Sequence, residues 1–293
     1  VTPPSDDRSG ESREGLNRLG KLPSDDRSGE SREGLNRPGK LAGRRILLVH
    51  GLMGEVMAAL RPIGLDYMHG LAAWLRAQGA EVDVVRLPTA APVARNAERL
   101  REVLLAEPAP VLLVAHSKGG LEALAALLDP AAAARCTGFV ALQSPFFGSP
   151  IADAVTRARP LDAAAMGLAR LLRIGSGEGL RDLTTARRAA WMEAHAQPIA
   201  ALLARLPVVC LATALPARGL RGRDRLYGLA ARWMAEQGAW PSDGLVPVSS
   251  ALLPGARHLL REGSHIASVS RGGGRDPAGL LAEALALLAP VPA

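Results

Sequence analysis

The chain alternates short apolar runs with longer stretches in which apolar positions recur every three or four residues. Short apolar runs between turn signals read as buried strands, and the amphipathic stretches read as helices. Strands are expected at RILLVH from Arg45, EVDVVRL from Glu81, VLLVAH from Val111, GFVALQS from Gly138, PVVCLAT from Pro207 and ARHLL from Ala256. Helices are expected at Leu65 to Gln78, Pro92 to Ala106, Gly119 to Leu128, Arg223 to Gln237 and Pro277 to Leu288. Such alternation predicts an α/β domain over residues 44–293, a mostly parallel sheet of about six strands flanked by helices.

Two regions break the rhythm. About sixty residues, from Gly148 to Leu206, separate the fourth and fifth strands, far more than a crossover needs. This insertion has helical patterns at Leu161 to Leu172, Thr184 to His195 and Ile199 to Leu206, and is expected to form a cap or lid (148–206) near the strand ends. The other region precedes the first strand. PSDDRSGESREGLNRLGKL from Pro4 recurs as PSDDRSGESREGLNRPGKL from Pro23, differing only at Leu19 and Pro38. Each copy holds too few apolar residues for stacking to repay the entropy of ordering, so residues 1–43 are expected to be a disordered tail. A role as a tether or partner-binding tag stays open.

Composition narrows the classes. Hydrophobic residues make up 48% of the 293, ample for a core, while aromatics make up only 3%. A net charge of +7 would suit a polyanionic partner, but the arginines are scattered, and several stand at helix-surface spacing from acids. They read as solvated faces, and no nucleic-acid partner is expected. Cys136 and Cys210 read as buried thiols rather than a disulfide framework. The hydrophilic start and the lack of any apolar run of about 18 residues predict a cytoplasmic protein with no membrane span. Nothing in the sequence speaks to oligomeric state.

Ser117, in AHSKGG, follows the third strand and precedes a glycine pair that opens a helix. Strand, sharp turn and helix are the context of a nucleophile elbow. Ala115 replaces the first glycine of G-x-S-x-G, and Ala115, Gly119 and Gly120 are small enough for close approach of strand and helix. A bare helix-capping role is the alternative for Ser117. A serine hydroxyl needs a base and an orienting carboxylate, here expected in the order Ser, Asp, His. Asp243 stands in PSDGLVPVSS after the fifth strand, and His265 in EGSHIASV after the sixth. An Asp-Gly turn at Asp243 is compatible with that role.

Other candidates read differently. His258 falls in a strand, His195 in the insertion and His69 on an early helix, while His50 and His116 adjoin the functional turns and would support their geometry. Asp224 and Asp276 begin helical stretches and read as caps, and Asp153 is the alternative acid. In HGLMG after the first strand, Gly51 permits the turn. An oxyanion would be met by the backbone N–H groups of Leu52 and Lys118, the latter at the positive end of a helix. The Lys118 side chain reads as exposed, with attraction of an anionic substrate group as the alternative.

With these pieces in place, the sequence from about residue 44 to the end resembles the bacterial triacylglycerol lipase and esterase families of the α/β-hydrolase superfamily. The resemblance is carried by LLVHGLMG, VAHSKGGLEAL, SPFFGSPIAD, RDLTTARR and SDGLVPVSS followed by the loop histidine. It implies a triad of Ser117, Asp243 and His265, an oxyanion hole at Leu52 and Lys118, a supporting turn of His50, Gly51, His116 and Gly119, and a lid. Many secreted lipases of this group hold calcium through an acid just after the histidine. Here Ile266 and Ala267 stand there, so no calcium, other metal or cofactor is expected. The implied activity is hydrolysis of a small or lipid-like aliphatic ester through an acyl-enzyme. A polyester (polyhydroxyalkanoate) depolymerase, an acyltransferase and a non-catalytic binding protein of the same fold are the alternatives.

Overall fold

A computed structural model describes residues 41–51, 68–157, 178–216, 218–222 and 224–288. The repeated tail up to residue 40, Leu52 and the helix expected at Leu161 to Leu172 lie outside the described residues. Six strands form one sheet: β1 (Arg45–Val49), β2 (Glu81–Val85), β3 (Val111–His116), β4 (Cys136–Leu142), β5 (Val208–Ala214) and β6 (Arg257–Glu262). They are ordered β2-β1-β3-β4-β5-β6, and every pairing is parallel.

The four inner strands, β1, β3, β4 and β5, are apolar on both sides because both faces are covered, whereas the edge strands β2 and β6 keep exposed polar positions. Ile46 and Leu48 of β1, Leu112 and Val114 of β3, and Val140 and Leu142 of β4 face one core, completed by helices α1 (His69–Ala77), α9 (Asp224–Glu236) and α11 (Pro277–Leu288). Leu47, Val49, Leu113, Ala115, Phe139 and Ala141 face the other, completed by α2 (Val93–Ala106) and α3 (Lys118–Leu127). Truncating a side chain as enclosed as Leu113 to alanine costs about 2–5 kcal/mol.

Short helices fill the connections. Helix α4 (Pro130–Ala133) starts at Asp129, whose Oδ1 accepts the N–H of Ala131 at 2.8 Å, with Pro130 at a position that needs no N–H. Between β4 and β5 come α5 (Pro150–Arg157), α6 (Glu178–Arg181), α7 (Thr185–Ala194) and α8 (Ala196–Leu203), and α10 (Val248–Ala251) precedes β6. Helix α8 begins before the expected Ile199, since Pro198 is tolerated in a first turn. Strand β4 begins at Cys136 rather than Gly138, because Cys136 pairs with Val111 across an irregular register. Strand β2 ends at Val85, so Arg86 and Leu87 leave the sheet ahead of Pro88.

The described part of the insertion packs as core. Leu180, Leu183, Met192, Ile199 and Leu202 are buried with Phe139, Phe146 and Cys210 on the α2–α3 face. No described helix is long and apolar enough to cross a membrane. After β2 the chain reverses its direction across the sheet, so β1 and β3 are neighbours whose connections leave toward opposite faces. A crevice opens beyond the carboxyl ends of strands at such a switch point. Gly51 and Ser117 stand there.

Candidate active site

Strand β3 is buried along its length and delivers the chain into a tight turn at Ser117, with φ 55° and ψ −127°. A non-glycine residue holds such a conformation only where its surroundings impose it. Here Ser117 N–H donates to Leu142 O at 2.9 Å, and Gly120 N–H donates to Ser117 O at 3.0 Å. The small residues around it are required by contact. A Cβ on Gly51 would sit 2.7 Å from Ser117 Cβ, one on Gly119 2.8 Å from His50 O, and one on Gly120 2.6 Å from Ser144 Cβ. Gly51 is therefore needed for close approach to the serine, where the sequence suggested freedom to turn.

His265 Nε2 lies 3.0 Å from Ser117 Oγ, and His265 Nδ1 lies 2.8 Å from Asp243 Oδ2. Asp243 and His265 are 1% and 6% exposed, so the path from carboxylate to hydroxyl runs almost entirely out of water. The other carboxylate oxygen accepts the N–H groups of Leu245 (2.8 Å) and Val246 (2.7 Å). With one oxygen fixed by the backbone, the second faces the imidazole. His265 N–H in turn donates to Asp243 O at 2.9 Å. The Asp-Gly turn and the pairing coexist: Gly244 has φ 96°, and a Cβ there would meet Tyr227 O at 2.6 Å.

Two supports surround this pair. His116 Nε2 is 3.0 Å from His265 O, and because a carbonyl only accepts, that nitrogen carries the hydrogen. Burial, reinforced by the neighbouring His265, pushes His116 well below the usual histidine range, so it stays neutral. The sequence did not single out the second support, Gln143. It directly follows β4 in a left-handed conformation (φ 51°) and is fully buried. Its Nε2 donates to Ser264 O at 2.9 Å and to Thr213 Oγ1, and stands 3.3 Å from Asp243 Oδ2, while Ser268 Oγ donates to its Oε1. One side chain thus ties the acid to the loop carrying the histidine. The readable signal was a polar residue closing an otherwise apolar strand.

Lys118 departs from expectation. Its side chain is 1% exposed, neither solvated nor facing a substrate, and Nζ donates to Glu122 Oε1 one turn along α3. Asn96 Nδ2, from α2, donates to the same oxygen at 2.7 Å and to Pro88 O at 2.9 Å. The physical reason is the packing of α2 on α3, which seals an i,i+4 pair that an isolated helix would show to water. Burial raises the Glu122 pKa, with Lys118 pulling the other way. The Lys118 backbone N–H opens α3 directly after the serine, and the second expected donor, Leu52, lies outside the described residues.

The remaining candidates have other partners. Asp153 accepts Thr185 N–H at 2.9 Å and Thr185 Oγ1–H at 2.6 Å, closing the start of α7. Asp276 accepts Gly279 N–H at 2.9 Å, a cap as expected. Asp224 does not act as the cap that was expected: its Oδ1 accepts Ser264 Oγ–H at 2.6 Å and an Arg275 N–H at 3.2 Å, pinning the residue before His265. His258 lies in β6 against Leu253 O, His195 joins α7 to α8, and His69 begins α1. Ile266 and Ala267 are buried in the core. Among the described residues no three His, Cys, Asp or Glu side chains converge to hold a metal.

No protein-family model matches the sequence, and no curated protein matches it. Solved structures do share its fold. The metagenomic carboxyl esterase MGS0156 is 25% identical, over 85% of this chain and 76% of that one, with a TM-score of 0.66. The mature form of the Bacillus licheniformis lipase BlEst2 is 22% identical, over 79% and 88%, with a TM-score of 0.59. Lipase 1 from Pelosinus fermentans is 15% identical, over 83% and 98%, with a TM-score of 0.52.

Proposed function

Since the chain shares its fold with solved lipases and a carboxyl esterase, we propose that it is a serine carboxylic-ester hydrolase of the α/β-hydrolase kind, working through an acyl-enzyme. The observation that carries this reading is the buried path from Asp243 through His265 to Ser117, at 2.8 and 3.0 Å.

The Asp243 carboxylate fixes the hydrogen of the neutral imidazole on Nδ1, which leaves the Nε2 lone pair for the Ser117 hydroxyl. As Ser117 Oγ attacks the ester carbonyl, its proton passes to Nε2, and Asp243 stabilises the imidazolium without taking the proton. The carbonyl oxygen gains charge beside the start of α3, where the Lys118 N–H is a preorganised donor. Collapse of the tetrahedral intermediate expels the alcohol, which takes the proton from Nε2. Water, deprotonated by the same nitrogen, then attacks the acyl-enzyme and releases the acid. Neutral His116 fits beside a histidine that is transiently cationic.

The test is labelling and turnover on one preparation. A fluorophosphonate probe is expected to form an adduct on Ser117, and Ser117→Ala to lower kcat for a p-nitrophenyl acyl ester by about 10⁴-fold or more. Labelling elsewhere, or unchanged turnover, would remove Ser117 from the mechanism and favour a binding protein of this fold.

A further inference from the structure

A second groove, of about 500 Å³, opens between α2, the far end of α3 and α7. Val93, Ala97, Ala125, Leu128 and Trp191 give it an apolar lining, and Arg188 lines it as well. Ala125 and Leu128 are eight and eleven positions along the chain from Ser117, about 12 Å or more along a helix. The groove is thus separate from the serine.

Arg188 is the anomaly. It is 2% exposed, yet among the described residues no carboxylate comes within ion-pair distance of it. Its Nε donates to Phe146 O at 3.1 Å, Nη2 reaches only Met192 Sδ at 3.7 Å, and the guanidinium lies 4.5 Å from the centre of the Trp191 ring. A guanidinium has five N–H groups, and a buried cation left short of partners is costly. Burial pushes its pKa down to about 10, against the more distant pull of Asp182, so it remains charged at neutral pH. The other charges around the groove are already matched. Asp182 accepts Val93 N–H at 2.7 Å and pairs with Arg187 at 3.0 Å, and Arg101 pairs with Glu98 at 2.6 Å and Asp129 at 3.4 Å.

We propose that this groove is a binding site for an aliphatic carboxylate, its head on the Arg188 guanidinium and its chain along the apolar lining. A planar carboxylate matches two parallel N–H donors of a guanidinium. One uncommitted cation balances one carboxylate charge, whereas a phosphate dianion would need a second, and the neighbouring arginines are taken. The Trp191 ring lies against the cation and is stacked on His195, which holds it in place at the groove. The volume lies in the range of small-molecule sites.

Calorimetric titration with decanoate tests this on the full chain. Decanoate is expected to bind once, and equally in the wild type and in Ser117→Ala, so a failed catalytic reading leaves the result untouched. Arg188→Met is expected to weaken binding at least tenfold. Ala94→Phe, which projects from the exposed side of α2 over the groove and keeps Arg188, is expected to do the same and decides the matter if Arg188→Met does not fold. 1-Decanol and decyltrimethylammonium should bind at least tenfold more weakly than decanoate. No decanoate binding, affinity unchanged by both substitutions, or equal affinity for the alcohol would overturn the proposal.

Discussion

Two buried acid–base pairs flank Ser117, and they are built on opposite principles. Asp243 and His265 sit on loops beyond β5 and β6, and the pair is open at one end: the imidazole has a free nitrogen 3.0 Å from the serine hydroxyl. Lys118 and Glu122 sit on one helix, and that pair is closed, its charges meeting each other and Asn96. Both are nearly inaccessible to water. Burial of an ion pair therefore does not mark a catalytic group; what separates the two is where the unspent hydrogen-bonding capacity points. At Asp243 the backbone of Leu245 and Val246 fills one oxygen and directs the other to histidine. At Glu122 the same oxygen takes both of its donors, and nothing is passed on.

Replacing Asp243 breaks the comparison most severely. In Asp243→Asn the side-chain oxygen can still accept from Leu245 and Val246, so the loop keeps its shape. The amide then presents N–H groups to His265 Nδ1, which forces the ring hydrogen onto Nε2 and leaves no base for Ser117. The expected outcome is a fall in kcat of about 10³ to 10⁴-fold, with KM changed little, in steady-state ester hydrolysis. A fall below tenfold would show that the open pair does no more than the closed one.

The closed pair predicts the converse, a loss in stability with chemistry largely retained. Lys118→Met leaves Glu122 buried without its cation, at an expected cost of about 3–5 kcal/mol in denaturant unfolding. Lys118→Met combined with Glu122→Leu removes both charges, and is expected to recover most of that stability. The double variant should keep kcat within about tenfold of wild type, because the donor proposed for the oxyanion is the backbone N–H of residue 118. A larger loss of kcat in a double variant that folds with wild-type stability would give the ammonium itself a place in the reaction.

The two pairs also differ in how much of them the sequence displayed. The strands were legible because apolar runs between turn residues mean the same thing wherever they occur. The meeting of Ser117, Asp243 and His265 was legible because the resemblance implies the order Ser, Asp, His, which singles out Asp243 and His265 from several acids and histidines. Lys118 and Glu122 were visible as a spacing, yet their burial depends on Asn96 and the seating of α2 on α3, which no local pattern encodes. Gln143 was hidden for the same reason: its partners Thr213, Ser264 and Ser268 lie far along the chain and meet it only when β4, β5 and the histidine loop are assembled. Arg188 looked like one more surface arginine in RDLTTARR, and only the packing of α7 against Phe146, with Met192 one turn along the same helix, removes it from water.

The smallest expected effect lies in the pH dependence of the closed pair. Burial holds the Glu122 carboxyl above its ordinary value of 4.5 in the folded protein, even with Lys118 beside it. Folding therefore favours the protonated form, and as pH rises from about 4.5 the unfolded chain ionises at this position before the folded one. The contribution of Glu122 to stability is largest below the unfolded value and declines until pH passes the raised folded value. Thermal unfolding of wild type and Glu122→Gln, compared at steps across this range, isolates the effect because glutamine keeps the shape and does not titrate. The wild type is expected to lose Tm relative to the variant as pH rises, then to run parallel with it. A wild type that gained on the variant instead would mean that attraction to Lys118 outweighs burial, making the pair a net source of stability and narrowing its contrast with Asp243 and His265 to the direction in which each pair points.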